Sequence, residues 1–157
     1  MKKLLFALLL ILCFSCTKKE AEQPYTPTGF SVEVKQATKL STGQVIESDA
    51  KCLIFVWKSD GKDFDLTKHA DMMQGYVLDK NTGVSYKYDY AEQNIMSEKV
   101  SVGRYFVYVQ RTNDGDNSQL AYSYTYFEVK DKEMTMLKKS FTTHVTRGSY
   151  EDWNAVE

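Results

Sequence analysis

Few side chains in this 157-residue sequence stand at the spacings that chemistry requires. The two histidines, His69 and His144, lie far apart, and neither has a second His or Cys at ligand spacing. A structural zinc takes about four such ligands and a catalytic one about three. Asp60, Asp63, Asp65 and Asp79 carry oxygens that Ca²⁺ accepts. Gly61 falls inside that run at the wrong offset for an EF-hand loop, so these acids read as a solvated loop. The chain has no G-x-S-x-G elbow, no P-loop, no G-x-G-x-x-G after a strand and no H-E-x-x-H. Glu151 and Asp152 are adjacent acids on a polar tail, and such pairs are expected to face solvent. These residues point to no enzyme, no cofactor and no metal.

Cys52 sits in the apolar run 51–57, KCLIFVW. A reactive thiol needs polar, electropositive surroundings, so Cys52 reads as a buried small hydrophobe. The remaining chemistry is aromatic. Tyr86, Tyr88 and Tyr90 recur at every second position, as do Tyr122, Tyr124 and Tyr126. In an extended chain that period puts each triplet on one face. If the two strands are neighbours, the triplets form a platform that stacks on sugar rings or binds a protein partner. The alternative is packing, since Tyr favours strands and packs well across them. Lys87 and Asp89 alternate with the first triplet, which favours an inward Tyr face.

The elements that carry these residues are strands. Residues 30–38 alternate, with Phe30, Val32 and Val34 on one face. Residues 51–57 are apolar on both faces, which marks a strand covered on both sides. Asp65 begins a short candidate helix over 65–73, with Leu66, Ala70 and Met73 on one face. Residues 74–78 and 84–90 form a hairpin, and Gly83 supplies its positive-φ position. Residues 91–98 are polar and read as irregular. In 100–111, Tyr105, Val107 and Val109 oppose Phe106, Tyr108 and Gln110. Residues 113–118 are a turn cluster, 120–130 alternate again, and a turn at Asp131-Lys132 leads into a last strand over 133–145. Strands at this spacing predict an all-β chain: one seven- to eight-stranded sandwich over 29–147 with at most one short helix, then a tail at 148–157 that docks on the sandwich or frays.

The N-terminal stretch MKKLLFALLLILCFSC sets the compartment. Lys2 and Lys3 precede an apolar run over 4–14, which is 11 residues long. At about 1.5 Å per residue it spans roughly half of a ~30 Å hydrocarbon core, too short for a membrane helix and suited to a secretory leader. Ser15-Cys16 resembles the lipobox of bacterial lipoproteins, although Cys13 and Phe14 depart from its preferred aliphatic and small residues. The resemblance implies cleavage of 1–15, lipidation of Cys16 with diacylglycerol and fatty-acyl chains such as palmitate, and a lipidated tether over 16–28. That tether holds both prolines of the chain, Pro24 and Pro27. The processed chain would have 142 residues, with 18 basic and 21 acidic side chains. This near-balance argues against a nucleic-acid partner, which needs a basic footprint. Cys52 would then be the lone thiol, with no partner for an internal disulfide.

Two stretches resemble a family. Residues 54–62, IFVWKSDGK, are similar to the strand and D-G-K turn of transthyretin-like domains in fimbrillin and fimbrial-anchor lipoproteins. Residues 102–109, VGRYFVYV, resemble the G-x-Y-x-V-x-V strand of those domains and of carboxypeptidase-regulatory-like and collagen-adhesin B-type modules. The resemblance implies a transthyretin-like or Ig-like sandwich in a lipid-anchored protein of the cell envelope, most simply at the outer membrane. Fimbrillins carry two such domains where this chain has room for one. Collagen-adhesin modules often hold a Lys–Asn isopeptide bond; Lys35 stands at the Lys position, but Gln110 and a last strand without Asn break the pattern. The expected role is a non-catalytic binding or assembly module, fimbria- or adhesion-related, with an envelope protein as partner. The alternative is a glycan-binding accessory lipoprotein of an outer-membrane uptake system.

Overall fold

The computed structural model describes residues 26–112, 119–142 and 147–154. Cys16 with the leader and most of the tether, the turn cluster 113–118 and His144 lie outside the described residues. Among the described residues no helix is long and apolar enough to cross a membrane. The fold is an all-β sandwich.

The strands are β1 (Gly29–Lys39), β2 (Val45–Asp49), β3 (Cys52–Lys58), β4 (Tyr76–Leu78), β5 (Ser85–Lys87), β6 (Tyr90–Gln93), β7 (Ile95–Lys99), β8 (Gly103–Thr112), β9 (Gln119–Val129), β10 (Met134–Thr142) and β11 (Ser149–Tyr150). One sheet centres on β1. Along one edge β1 pairs in parallel with β10, from Gly29 opposite Met134 to Ala37 opposite Thr142. Its other edge is shared: β7 pairs with Gly29–Glu33 and β2 with Lys35–Lys39, both antiparallel. The second sheet runs β11-β9-β8-β3-β6.

The alternation seen in the sequence sets what lies between the sheets. Phe30, Val32 and Val34 from β1 meet Cys52, Ile54 and Val56 from β3 and Tyr105, Val107 and Val109 from β8, all buried. Phe30 is the hub of the layer. Its ring lies 5.2 Å from Phe127 and 5.9 Å from both Tyr90 and Tyr105. Burying a side chain of this size contributes about 1.5–3 kcal/mol.

The second sheet is buried on its outer face as well. Trp57, Phe106 and Tyr108 point away from the sandwich and are capped by Phe64, Met72 and Val77 from the segment 59–89. That segment contains the helix α1 (His69–Met73) and the β4–β5 hairpin. Asp79 anchors it. Its carboxylate is buried and accepts from the Thr82 hydroxyl (2.8 Å) and the Asp63 and Asn81 amides (3.1 and 3.2 Å). Gly83 takes φ +69° in the hairpin loop, as the sequence predicts.

Two local expectations are corrected. The helix is shorter than 65–73, with Lys68 at its N-cap. Asp65 instead closes a turn on the Thr67 hydroxyl and amide (2.6 and 3.0 Å), and Met72 is the buried residue while Ala70 is exposed. Residues 91–98 are not irregular: they hold most of β6 and β7, which lie in different sheets and meet at Asn94. Asn94 adopts φ +66°, which Asn tolerates better than most residues. Its amide donates to the Cys52 carbonyl (3.2 Å), and its side-chain oxygen accepts from the Cys52 amide (3.3 Å), so β3 keeps a partner where the chain changes sheet. Of the two alternatives for the tail, its described part docks: β11 joins β9 in parallel. Asn94→Ala should lower stability by about 1–2 kcal/mol in urea unfolding, and Asn94→Gly by less, because only the hydrogen bond is then lost.

Candidate functional site

The tyrosines divide. Tyr122, Tyr124 and Tyr126 do share the outer face of β9, and all are half-buried. Tyr126 is covered: its hydroxyl accepts from the Phe64 amide (3.2 Å), and the Arg104 guanidinium lies 4.0 Å from its ring centre. Tyr122 and Tyr124 are joined by Tyr150 from β11. The Tyr150 ring is 4.9 Å from Tyr124 and 5.7 Å from Tyr122, and the residue is 44 % exposed. His69 stacks on Tyr122 at 3.8 Å and 13°, and its Nδ1 lies 3.2 Å from the Tyr108 hydroxyl. Burial holds the phenols of Tyr122, Tyr126 and Tyr150 above the usual tyrosine range.

The first triplet is not a face. β5 ends at Lys87, and Asp89 turns the chain by accepting from the Lys58 amide (2.6 Å). Tyr86 lies under the Lys62 ammonium (4.4 Å), and its carbonyl accepts from the Trp57 indole (3.2 Å). Tyr88 stacks on Phe55 at 5.3 Å, while Tyr90 turns into the core against Phe30. β5 pairs with β4, and β9 pairs with β8 and β11, so the triplets do not build a joint platform. What remains is a cluster of Tyr122, Tyr124 and Tyr150 on the outer edge of the five-stranded sheet, with His69 against it.

Tyr150 is placed there by an arrangement that sequence reasoning missed. Lys139 is fully buried on the inner face of β10, between Leu137 and Phe141 in the period-two register. Its ammonium donates to Glu151 Oε1 (2.5 Å) and to the Asp152 carbonyl (2.7 Å). Glu151 Oε2 accepts from the Thr142 amide and hydroxyl, both at 3.1 Å. The Glu151 amide donates to the Tyr122 carbonyl (2.9 Å), and Trp153 packs against the core. Glu151 is therefore buried, not the solvent-facing acid its tail position suggests. The signal in the sequence is the period-two spacing of Lys139 between Leu137 and Phe141.

The other candidates are spent singly. Asp60 accepts from the Arg104 amide (2.6 Å), Asp63 pairs with Lys80 (2.7 Å), and Asp65 and Asp79 hold the turns described above. Among the described residues no group of three His, Cys, Asp or Glu is placed to hold a metal. Lys35 lies on the outer face, bridging Asp49 (2.7 Å) and Glu33 (2.9 Å) beside an open cleft of about 550 Å³. It does not point between the sheets.

Cys52 is buried, and burial pushes its thiol up to about 11. It should stay unreactive toward a disulfide reagent near pH 8 in the native protein and react fully once unfolded. The acids give a pH dependence. The Arg104 amide holds Asp60, and the hydroxyls of Thr82 and Thr67 hold Asp79 and Asp65, below the ordinary carboxylate range. The unfolded chain therefore binds more protons in acid, and the stability these groups supply is present above about pH 4 and lost as the pH falls through their folded values. Thermal melts should be flat from about pH 7 to 5 and fall below about pH 4, and Asp79→Asn should flatten that fall. No protein-family model, curated protein or solved structure matches this chain significantly.

Proposed function

We propose that the protein is a lipid-anchored, non-catalytic binding and assembly module of the bacterial cell envelope, acting through the cluster of Tyr122, Tyr124 and Tyr150. The observation that carries this reading is the grouping of three tyrosine rings within 4.9–6.5 Å on the solvent side of the sheet. Tyrosine gives large contact area at low entropic cost, and such residues dominate protein interfaces. One face of Tyr122 is already covered by His69, which favours a protein partner over a pyranose stacked flat on that ring. A lipid anchor at Cys16 would place the module at a membrane. With Cys16 lipidated, the chain leaves the membrane through the tether and enters β1 at Gly29. That end of the sandwich also holds the Asp131-Lys132 turn, where the Lys132 amide donates to the Thr28 hydroxyl (2.8 Å). β11 meets β9 near its start, at the opposite end, so Tyr122 and Tyr150 would face away from the anchor.

The resemblance to fimbrial and adhesion lipoproteins supports an envelope protein as the partner. Glycan binding in an outer-membrane uptake system is the second reading, favoured by the exposure of Tyr150. Labelled palmitate should enter the protein in cells and fail to enter Cys16→Ser. In-cell cross-linking followed by mass spectrometry should capture one stoichiometric envelope protein. Tyr124→Ala and Tyr150→Ala should each reduce that adduct by about tenfold or more while the thermal midpoint stays close to wild type. A soluble domain that captures no protein but binds a glycan array through the same tyrosines would transfer the reading to carbohydrate.

A further inference from the structure

The tyrosine cluster is assembled from two parts of the chain. Tyr122 and Tyr124 belong to β9, whose backbone is locked to β8 along its length. Tyr150 belongs to a two-residue strand that could not hold itself in place. Among the described residues its backbone pairs with Ala121 and Tyr122, followed by the Glu151 amide on the Tyr122 carbonyl. The next residue along, Glu151, makes the strong bonds. Its two oxygens reach Lys139 and Thr142 of β10, in the other sheet, while the Tyr150 ring lies outside against Tyr124. The segment 149–153 is thus a clasp with one carboxylate inside the sandwich and one phenol ring on its surface.

We propose that Glu151 is a positioning residue for the tyrosine cluster: its buried pair with Lys139 seats β11 on β9, and partner binding is thereby tied to closure of the clasp. This rests on the reading of the cluster as the binding surface. The physical reason is asymmetric. A lysine with no exposed surface needs a carboxylate beside it, and losing that partner leaves an uncompensated buried charge. The closed clasp is the arrangement that supplies the carboxylate. A partner that grips Tyr150 binds only that arrangement, and so holds the clasp shut.

The test uses the full chain labelled with 3-fluorotyrosine, with ¹⁹F resonances assigned by single Tyr→Phe variants. In Glu151→Gln the signals of Tyr122, Tyr124 and Tyr150 should move, the first two toward their positions in Tyr150→Ala. Those of Tyr90 and Tyr105, inside the sandwich, should not move. A second variant adds Ala121→Cys and Ser149→Cys, which stand opposite each other in the β9–β11 pairing. Oxidising that pair in the Glu151→Gln background should return the Tyr122 and Tyr124 signals, since a covalent bond now does the seating. The proposal is overturned if Glu151→Gln leaves the three signals in place, if Tyr90 and Tyr105 move as far as they do, or if oxidation restores nothing. Cross-linking separates the two readings. Glu151→Gln should lose adduct by about tenfold, as Tyr124→Ala does, and regain it on oxidation. Loss in Tyr124→Ala with none in Glu151→Gln removes the role of Glu151 alone. If neither variant affects the adduct, the tyrosine surface itself is wrong.

Discussion

Phe106 and Val107 are neighbours in β8, both are fully buried, and they point to opposite faces of one sheet. The same holds for Val56 and Trp57 in β3. A sheet with two apolar faces is stable only if both are covered. β1 and its partners cover one face. The other must be covered by something that is not a third sheet of the sandwich, and the segment 59–89 does this with a five-residue helix and a hairpin of two three-residue strands. Elements that short do not hold themselves together in water. Their stability comes from Phe64, Met72 and Val77 packing on the aromatic face, and from Asp79 tying the hairpin loop to Asp63. The cover reaches β9 at Tyr126 through Phe64 and at Tyr122 through His69, and it leaves Tyr122 and Tyr124 half-buried.

Polar side chains mark where the two layers are fastened, one exposed at Asn94 and one pair buried at Lys139 and Glu151. Asn94 fastens them where the chain crosses between sheets, by standing in for a ladder partner of Cys52. Lys139 and Glu151 fasten them on the opposite side, where β10 is the edge of one sheet and the short β11 beside β9 is the edge of the other. In each place one side chain does what a backbone rung does elsewhere. These fastenings are specific in a way that apolar contact is not, because a shifted register would strand a buried amide or charge.

Much of this is legible in the residues. β1, β3, β8 and β9 bury alternate or continuous apolar residues, and period two identifies both their extent and their faces. That Tyr122 and Tyr124 share a face follows from the same rule, whereas the spacing alone does not say that the face is the outer one. β2, β6 and β7 are harder to see. Val45–Asp49 is exposed along its whole length, and in 90–99 only Met96 is fully buried, so edge strands there leave little hydrophobic trace. The Tyr86, Tyr88 and Tyr90 triplet misleads because spacing cannot show that the strand stops at Lys87. Glu151 misleads for a similar reason. Its local sequence is polar, and only its contact with a lysine on a distant strand makes it an interior residue.

The parallel pairing of β1 with β10 bears on how the molecule carries tension. A pull on the N-terminal segment enters at Gly29 and runs along β1, while a load gripped at the tyrosines enters at the far end of β9. The line between them lies roughly along the strands. Rungs spanning Gly29 to Ala37 on one side of β1, and those to β7 and β2 on the other, then resist sliding together. They are not peeled apart one at a time. A strand clamped on both edges and loaded in shear is the arrangement by which a small sandwich withstands force.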